Sequence, residues 1–369
     1  MILWVLLSCQ SSPAPIESSE AADCTQPYRE SQNLLTPQAW AAELPNHEGL
    51  ILFLAEHHSQ AHQLDQLSRA IELMSSRAGP LWFAAEWLPN GATDSLNELV
   101  QKSAWDSQTW WSIVSQKYHI TPLELDSYEE PLKTIQNLNQ SRAEPIKILG
   151  LAPDCRFQSL KTKSAVTACL SKRERTMESH VQDAFPARSN GLMIISAGYR
   201  HAQLAQSDHK APEPLAMRLA EDHSVQSVLL SGQEKDGRST CKGLFDSLES
   251  EQLIPLKNLP QSALTTACLS PDPNHDTIPL SAAFTHLWHR PLPWRSGDTL
   301  PLDAWSTMGE ETLRGWSRFR FELLGDMELG PNPQAWKAAT DNQMANHMTA
   351  KQGPFQCSVL PQLTTEAAQ

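Results

Sequence analysis

The stretch Leu54–His62, LAEHHSQAH, places Glu56, His57, His58 and His62 within nine residues directly after an apolar run. In an extended chain, side chains two apart share a face, so Glu56 and His58 point together and His57 points away. If a helix starts near Ser59, His58 and His62 lie about one turn apart and converge on one mouth. A carboxylate with imidazoles is a donor set for zinc, manganese or iron. The same pair also makes a general base oriented by a carboxylate. A charged group closing a buried strand is costly without a purpose, which favours function for Glu56 and His58. His57 alone reads more simply as a helix cap or a solvated loop residue.

Other strand-like segments end in the same manner. LWFAAE ends at Glu86, IKILGL is followed by Asp154, and GLMIISA runs into Gly198-Tyr199-Arg200-His201. In open parallel sheets, ligands bind beyond the carboxyl ends of the strands. Successive strands that each end in a titratable group therefore define one expected site. Taken singly, Glu86 reads equally as half of a salt bridge, Tyr199 as packing, and Arg200 as the partner of a carboxylate.

The elements that must position these groups alternate along the chain. Gly49–Ala55, Leu81–Glu86, Ile146–Leu151, Gly191–Ala197 and Val225–Leu230 are short apolar runs suited to buried strands, with Ser281–Trp288 a sixth. Between the first two, Leu64, Leu67, Ile71 and Met74 are spaced for one face of a helix over Ser59–Arg77. A helical stretch runs to Val100, a Trp-rich one covers Trp105–Tyr118, and a long one covers Ala165–Ala184. Strands separated by helices predict an α/β fold, three-layer α/β/α, with a mostly parallel central sheet. Residues 36–328 form the expected domain, and residues 329–369 read as a polar C-terminal tail.

The formal net charge of −13 over 369 residues excludes nucleic acid as a partner, because phosphate neutralisation needs a basic face. The apolar run Ile2–Leu7 followed by Ser8-Cys9 resembles a bacterial lipobox, with residues 1–8 as signal peptide and Cys9 as the acylated residue. Residues 9–35 then form a polar tether. Acylation would anchor the chain to a membrane without a spanning helix. Of the seven cysteines, six remain after Cys9, and in an exported protein they predict disulfides. Cys155 with Cys169 and Cys241 with Cys268 are the local options, and the pairing stays open. No Gly-x-Ser-x-Gly elbow and no CxxCH occurs, so neither a serine-hydrolase nucleophile nor covalent haem attachment is expected.

These motifs together resemble a known superfamily. FLAEHHSQAH, the AAEW of Ala84–Trp87, Arg173-Glu174-Arg175-Thr176-Met177, and Ala197-Gly198-Tyr199-Arg200-His201 are similar, in that order, to motifs of the superfamily that holds the ChaN haem-binding lipoproteins, the TIKI and TraB metalloprotease-like proteins and the erythromycin esterases. Ala55 stands where that pattern has Gly. The ChaN-like branch is the nearest in its lipid anchor and short core. The resemblance implies one pocket lined by Glu56, His58, Glu86 and His201, with Arg173 beside a carboxylate. On the ChaN-like reading the ligand is haem or iron for uptake, with Tyr199, His57, Arg173 and Arg200 as contacts and a homodimer as a possible assembly. On the TIKI- and esterase-like readings the protein is a hydrolase of peptides or lactones. Glu56, His58, His62 and His201 would then hold a divalent metal such as Mn, Co or Zn, or a His would activate water. A binding module without catalysis is the third reading. The implied location is the periplasmic face of the outer membrane of a Gram-negative cell.

Overall fold

The computed structural model describes residues 34–45, 49–56, 61–77, 79–115, 126–153, 163–187, 189–206, 213–231, 250–258, 280–290, 299–319 and 329–349. Seven strands form one sheet: β1 (Leu50–Glu56), β2 (Leu81–Pro89), β3 (Lys147–Ala152), β4 (Leu192–Gly198), β5 (Ser224–Ser231), β6 (Gln252–Pro255) and β7 (His286–His289). Their order is β3-β2-β4-β1-β5-β7-β6. Every pairing is parallel except that of β6 with β7. Helices cover both faces, giving the three-layer α/β/α architecture expected of alternating strands and helices.

The helices, in chain order, are α1 (Pro37–Glu43), α2 (Ala61–Ser75), α3 (Thr93–Leu99), α4 (Ser107–Val114), α5 (Glu130–Asn139), α6 (Lys163–Leu170), α7 (Arg173–Ala184), α8 (Leu215–Leu219), α9 (Leu280–Ala283), α10 (Leu302–Thr307), α11 (Glu310–Phe319) and α12 (Pro333–Thr349). Strand alternation sorts the core into two sides. Leu52, Leu54, Phe83, Ala85 and Ile194 pack with Leu64, Leu67 and Ile71 of α2 and with Leu132 and Ile135 of α5. Ile51, Phe53, Ala84, Met193 and Ile195 pack with Met177 and Val181 of α7 and with Leu215 and Leu219 of α8.

Several elements differ from the sequence reading. The expected long helix over Ala165–Ala184 is two, α6 and α7, so Arg173 and Glu174 open a helix instead of lying within one. The sixth strand is confined to His286–His289, and β6 was not foreseen because its four residues carry no readable period. The segment read as a polar tail contains α12. Trp336 there is fully buried, stacked on Trp305 at 5.6 Å and edge-on to Trp316 at 6.0 Å. A few widely spaced indoles anchor this helix, which a polar average hides. Cys169 is disulfide-bonded; Cys9, Cys155 and the other cysteines lie outside the described residues.

Candidate functional site

The site begins where β2 leaves its neighbour. β2 pairs with β4 up to Ala85 opposite Ser196 and no further. On its other side, Ala85 lies opposite Gly150 but Pro89 opposite Ala152, so four residues of β2 advance against two of β3. Such a bulge bends a strand and re-aims its side chains. Gly150 makes it possible: a Cβ there would lie 2.1 Å from the Pro89 carbonyl oxygen. Asn90 Nδ2 donates to the Gly150 carbonyl at 2.8 Å, and the Gly150 amide donates to Thr93 Oγ1 at 3.1 Å, fixing the crossing.

The gap between β2 and β4 is filled by Glu86. The Gly198 amide, which faces β2, donates to Glu86 Oε2 at 2.7 Å. Glu86 Oε1 pairs with Arg173 Nη2 and lies 3.4 Å from His201 Nε2. The other ring nitrogen, His201 Nδ1, meets Glu174 Oε1. Glu86 is 2% exposed and the His201 side chain 16%, so the cluster sits just under the surface. Arg173 and Glu174 are the first two residues of α7, where the helix dipole favours the Glu174 carboxylate. A tight turn sets the imidazole: His201 N donates to the Gly198 carbonyl at 2.9 Å, and the His201 carbonyl accepts from Ala216 at 2.9 Å.

Glu56 occupies the opposite side of the sheet. It pairs in register with Gly198 and shares the face of Leu54 and Trp87, whereas Glu86 shares that of Ala84. Tyr128 Oη donates to Glu56 Oε2 at 3.5 Å, and the Tyr128 ring meets Trp87 edge-on at 5.0 Å. Trp87 Nε1 donates to Ser196 Oγ at 3.1 Å. Across the strand end, the Tyr199 amide donates to the Glu56 carbonyl at 3.0 Å. Tyr199 is half-buried, and its phenol oxygen accepts from Arg200 Nε at 3.1 Å, with Arg200 exposed.

Of the residues singled out in the sequence, Glu86, Arg173 and His201 are gathered into one cluster, and Glu56 faces away from it. His62 is buried in the first turn of α2. His57, His58 and Asp154 lie outside the described residues. Among the described residues, no group of three His, Cys, Asp or Glu is placed to hold a metal ion. The chemistry of the cluster agrees, since the Arg173 guanidinium already sits on Glu86 Oε1, where a divalent cation would be repelled. Two contributors escaped the sequence reading as individual residues. Glu174 was visible only as the second letter of the Arg173–Met177 motif, and Tyr128 carries no sequence signal at all.

No family model matches the chain, and no curated protein matches it. Several solved structures are distantly similar. A succinoglycan biosynthesis protein matches at 12% identity and TM-score 0.48, covering 66% of this chain and 88% of its own. An erythromycin esterase mutant in its open conformation matches at 12% identity and TM-score 0.48, covering 68% and 92%. ChaN of Campylobacter jejuni, with cofacially bound haem, matches at 16% identity and TM-score 0.27, covering 55% and 87%.

Proposed function

We propose that the chain is a hydrolase of carboxylic esters, lactones or peptides, with His201 as its proton-transfer group. The observation that carries this reading is the anchoring of the imidazole: Nδ1 is held by Glu174, which leaves Nε2 turned toward Glu86 and the strand-end gap. Glu174 fixes a proton on Nδ1, and Glu86 Oε1, 3.4 Å from Nε2, is already paired with the Arg173 guanidinium, so Nε2 is taken as the nitrogen that accepts and returns a proton. In the proposed step, a water proton passes to His201 Nε2 as the water oxygen bonds to the substrate carbonyl carbon. The carbonyl π electrons move onto its oxygen. When the tetrahedral species collapses, the bond to the leaving group breaks and Nε2 returns the proton to that group. The Glu86–Arg173 pair lies beside Nε2, where the Glu86 carboxylate would stabilise the imidazolium that forms, and Glu174 acts as a positioning residue. The test is hydrolysis by the full chain of a panel of p-nitrophenyl esters, lactones and short peptides. Turnover that is lost in His201→Ala supports the reading; no turnover across the panel, or turnover unchanged in that variant, overturns it.

A second reading, haem binding, is favoured by one contact. A tyrosine oxygen is one of the side-chain ligands that hold haem iron, and the Tyr199 phenol oxygen is fixed by Arg200 Nε at 3.1 Å. A Soret band after haemin addition that disappears in Tyr199→Phe would favour it over hydrolysis.

Export and acylation at Cys9 belong to the same proposal, supported by the lipobox-like run and the polar tether. No helix among the described residues is long and apolar enough to cross a membrane. Cys9→Ala is expected to move the protein from the membrane to the soluble fraction.

A further inference from the structure

Away from the Glu86 cluster, α4 and α10 border an open groove of about 1040 Å³. Trp105 and Trp111 lie along it, both half-buried. Their indole N–H groups are tied to one carboxylate: Trp105 Nε1 donates to Glu129 Oε2 at 2.8 Å and Trp111 Nε1 to Glu129 Oε1 at 3.2 Å. Glu129 is 5% exposed and takes a third contact from Lys133 Nζ at 3.1 Å. A buried carboxylate that grips two indoles fixes both ring planes before any ligand arrives, and such pre-organisation lowers the cost of binding.

The rest of the lining narrows the ligand class. Gln108, Asp303, Ser306 and Thr307 are exposed and offer hydroxyl, amide and carboxylate groups. Ala104 is the sole aliphatic side chain among the described lining residues, which disfavours a lipid or an apolar peptide. The cation of the lining, Lys102, is bound to Asp106 at 2.7 Å and reaches Thr109 Oγ1 at 3.3 Å. With Asp303 opposite, the groove therefore repels phosphate and carboxylate ligands. What remains is an uncharged, hydroxyl-rich molecule with a flat C–H face to lay on an indole.

We propose that this groove binds a neutral oligosaccharide, with sugar rings on Trp105 and Trp111 and hydroxyls bonded to Gln108, Asp303 and the α10 hydroxyls. The C–H face of a pyranose is weakly positive and meets the negative face of the indole, as in other aromatic contacts. The site is separate from the hydrolytic one, so it stands or falls independently.

Calorimetric titration of the full chain with cellotriose, maltotriose and chitotriose tests it. Saturable binding of at least one trisaccharide is expected, weakened about tenfold in Trp111→Ala and unchanged in His201→Ala. Trp111 also packs against the core, so the Gln108→Ala/Asp303→Ala variant, confined to exposed side chains, provides the second arm and is expected to weaken binding likewise. Absence of saturable binding for all three sugars would overturn the proposal. So would binding undiminished in both variants.

Discussion

Glu56 ends β1 and Glu86 sits at the bulge of β2, on either side of β4, yet they point to opposite faces of the sheet, and the consecutive amides of Gly198 and Tyr199 serve one each. Gly198 N donates to the Glu86 carboxylate at 2.7 Å, and Tyr199 N donates to the Glu56 carbonyl at 3.0 Å. The end of β4 thus divides two carboxylates that a flat reading of the sequence places in one pocket. Glu86 belongs with Arg173, His201 and Glu174, and Glu56 belongs with Tyr128 and Trp87.

The Glu86–Arg173 pair joins β2 to α7 across a buried carboxylate. Breaking a buried ion pair from one side leaves an uncompensated charge, at a cost of about 3 kcal/mol. Arg173→Met is expected to lose that much stability in urea unfolding, and Glu86→Gln/Arg173→Met to recover most of it. A double variant no more stable than Arg173→Met would show that the pair is not coupled.

Gly150 controls the bulge that aims Glu86. A methyl at this position meets the Pro89 carbonyl, which is backbone and cannot swing aside. Gly150→Ala is expected to cost about 1–3 kcal/mol of stability and to reduce hydrolysis together with it, because β2 must shift where Glu86 is carried.

Trp336 tests the status of the C-terminal segment. It is fully buried against Trp305 and Trp316. Trp336→Ala should destabilise the fold by about 3–5 kcal/mol, read from the denaturant midpoint. A dispensable tail would show no change.

Stability should also fall in mild acid. Burial, with a smaller contribution from Lys257, pushes His286 down from the ordinary imidazole value of 6.5 to about 4. Burial lowers His223 as well, against smaller opposing effects of Asp222 and Gly49. Between these limits the unfolded chain takes up protons that the folded chain refuses, so stability is full above pH 6.5 and is lost as the pH falls toward 4. For His286 the shift amounts to about 3 kcal/mol. Thermal melts from pH 7 to pH 4.5 should show a decline that is shallower in His286→Leu.

The parallel strands were legible because each is a continuous apolar run bounded by turns, and continuous runs survive averaging. α2 was legible from Leu64, Leu67, Ile71 and Met74, all of which are buried on one side. Glu86, Arg173 and His201 could be singled out because strand ends and short motifs mark them. The resemblance grouped Glu86 with His201 and set Arg173 beside a carboxylate, but the contacts that join them could not be read, because they depend on a bulge after Ala85 and on a break between α6 and α7, which are tertiary outcomes. The separation of Glu56 from Glu86 is a matter of parity between strands, and register is set by packing that no local pattern states. Tyr128 and the Trp105–Glu129–Trp111 link join segments far apart in sequence, and only the fold brings them together.

The proposed hydrolysis requires that Glu174 hold His201 so that Nε2 is the ring's proton acceptor. Long-range ¹H–¹⁵N NMR of the His201 side chain at neutral pH reads it directly. A proton on Nδ1 and a bare Nε2 are expected in the native chain, with that preference lost in Glu174→Gln. A proton on Nε2 in the native chain, whether or not Nδ1 also carries one, would contradict it.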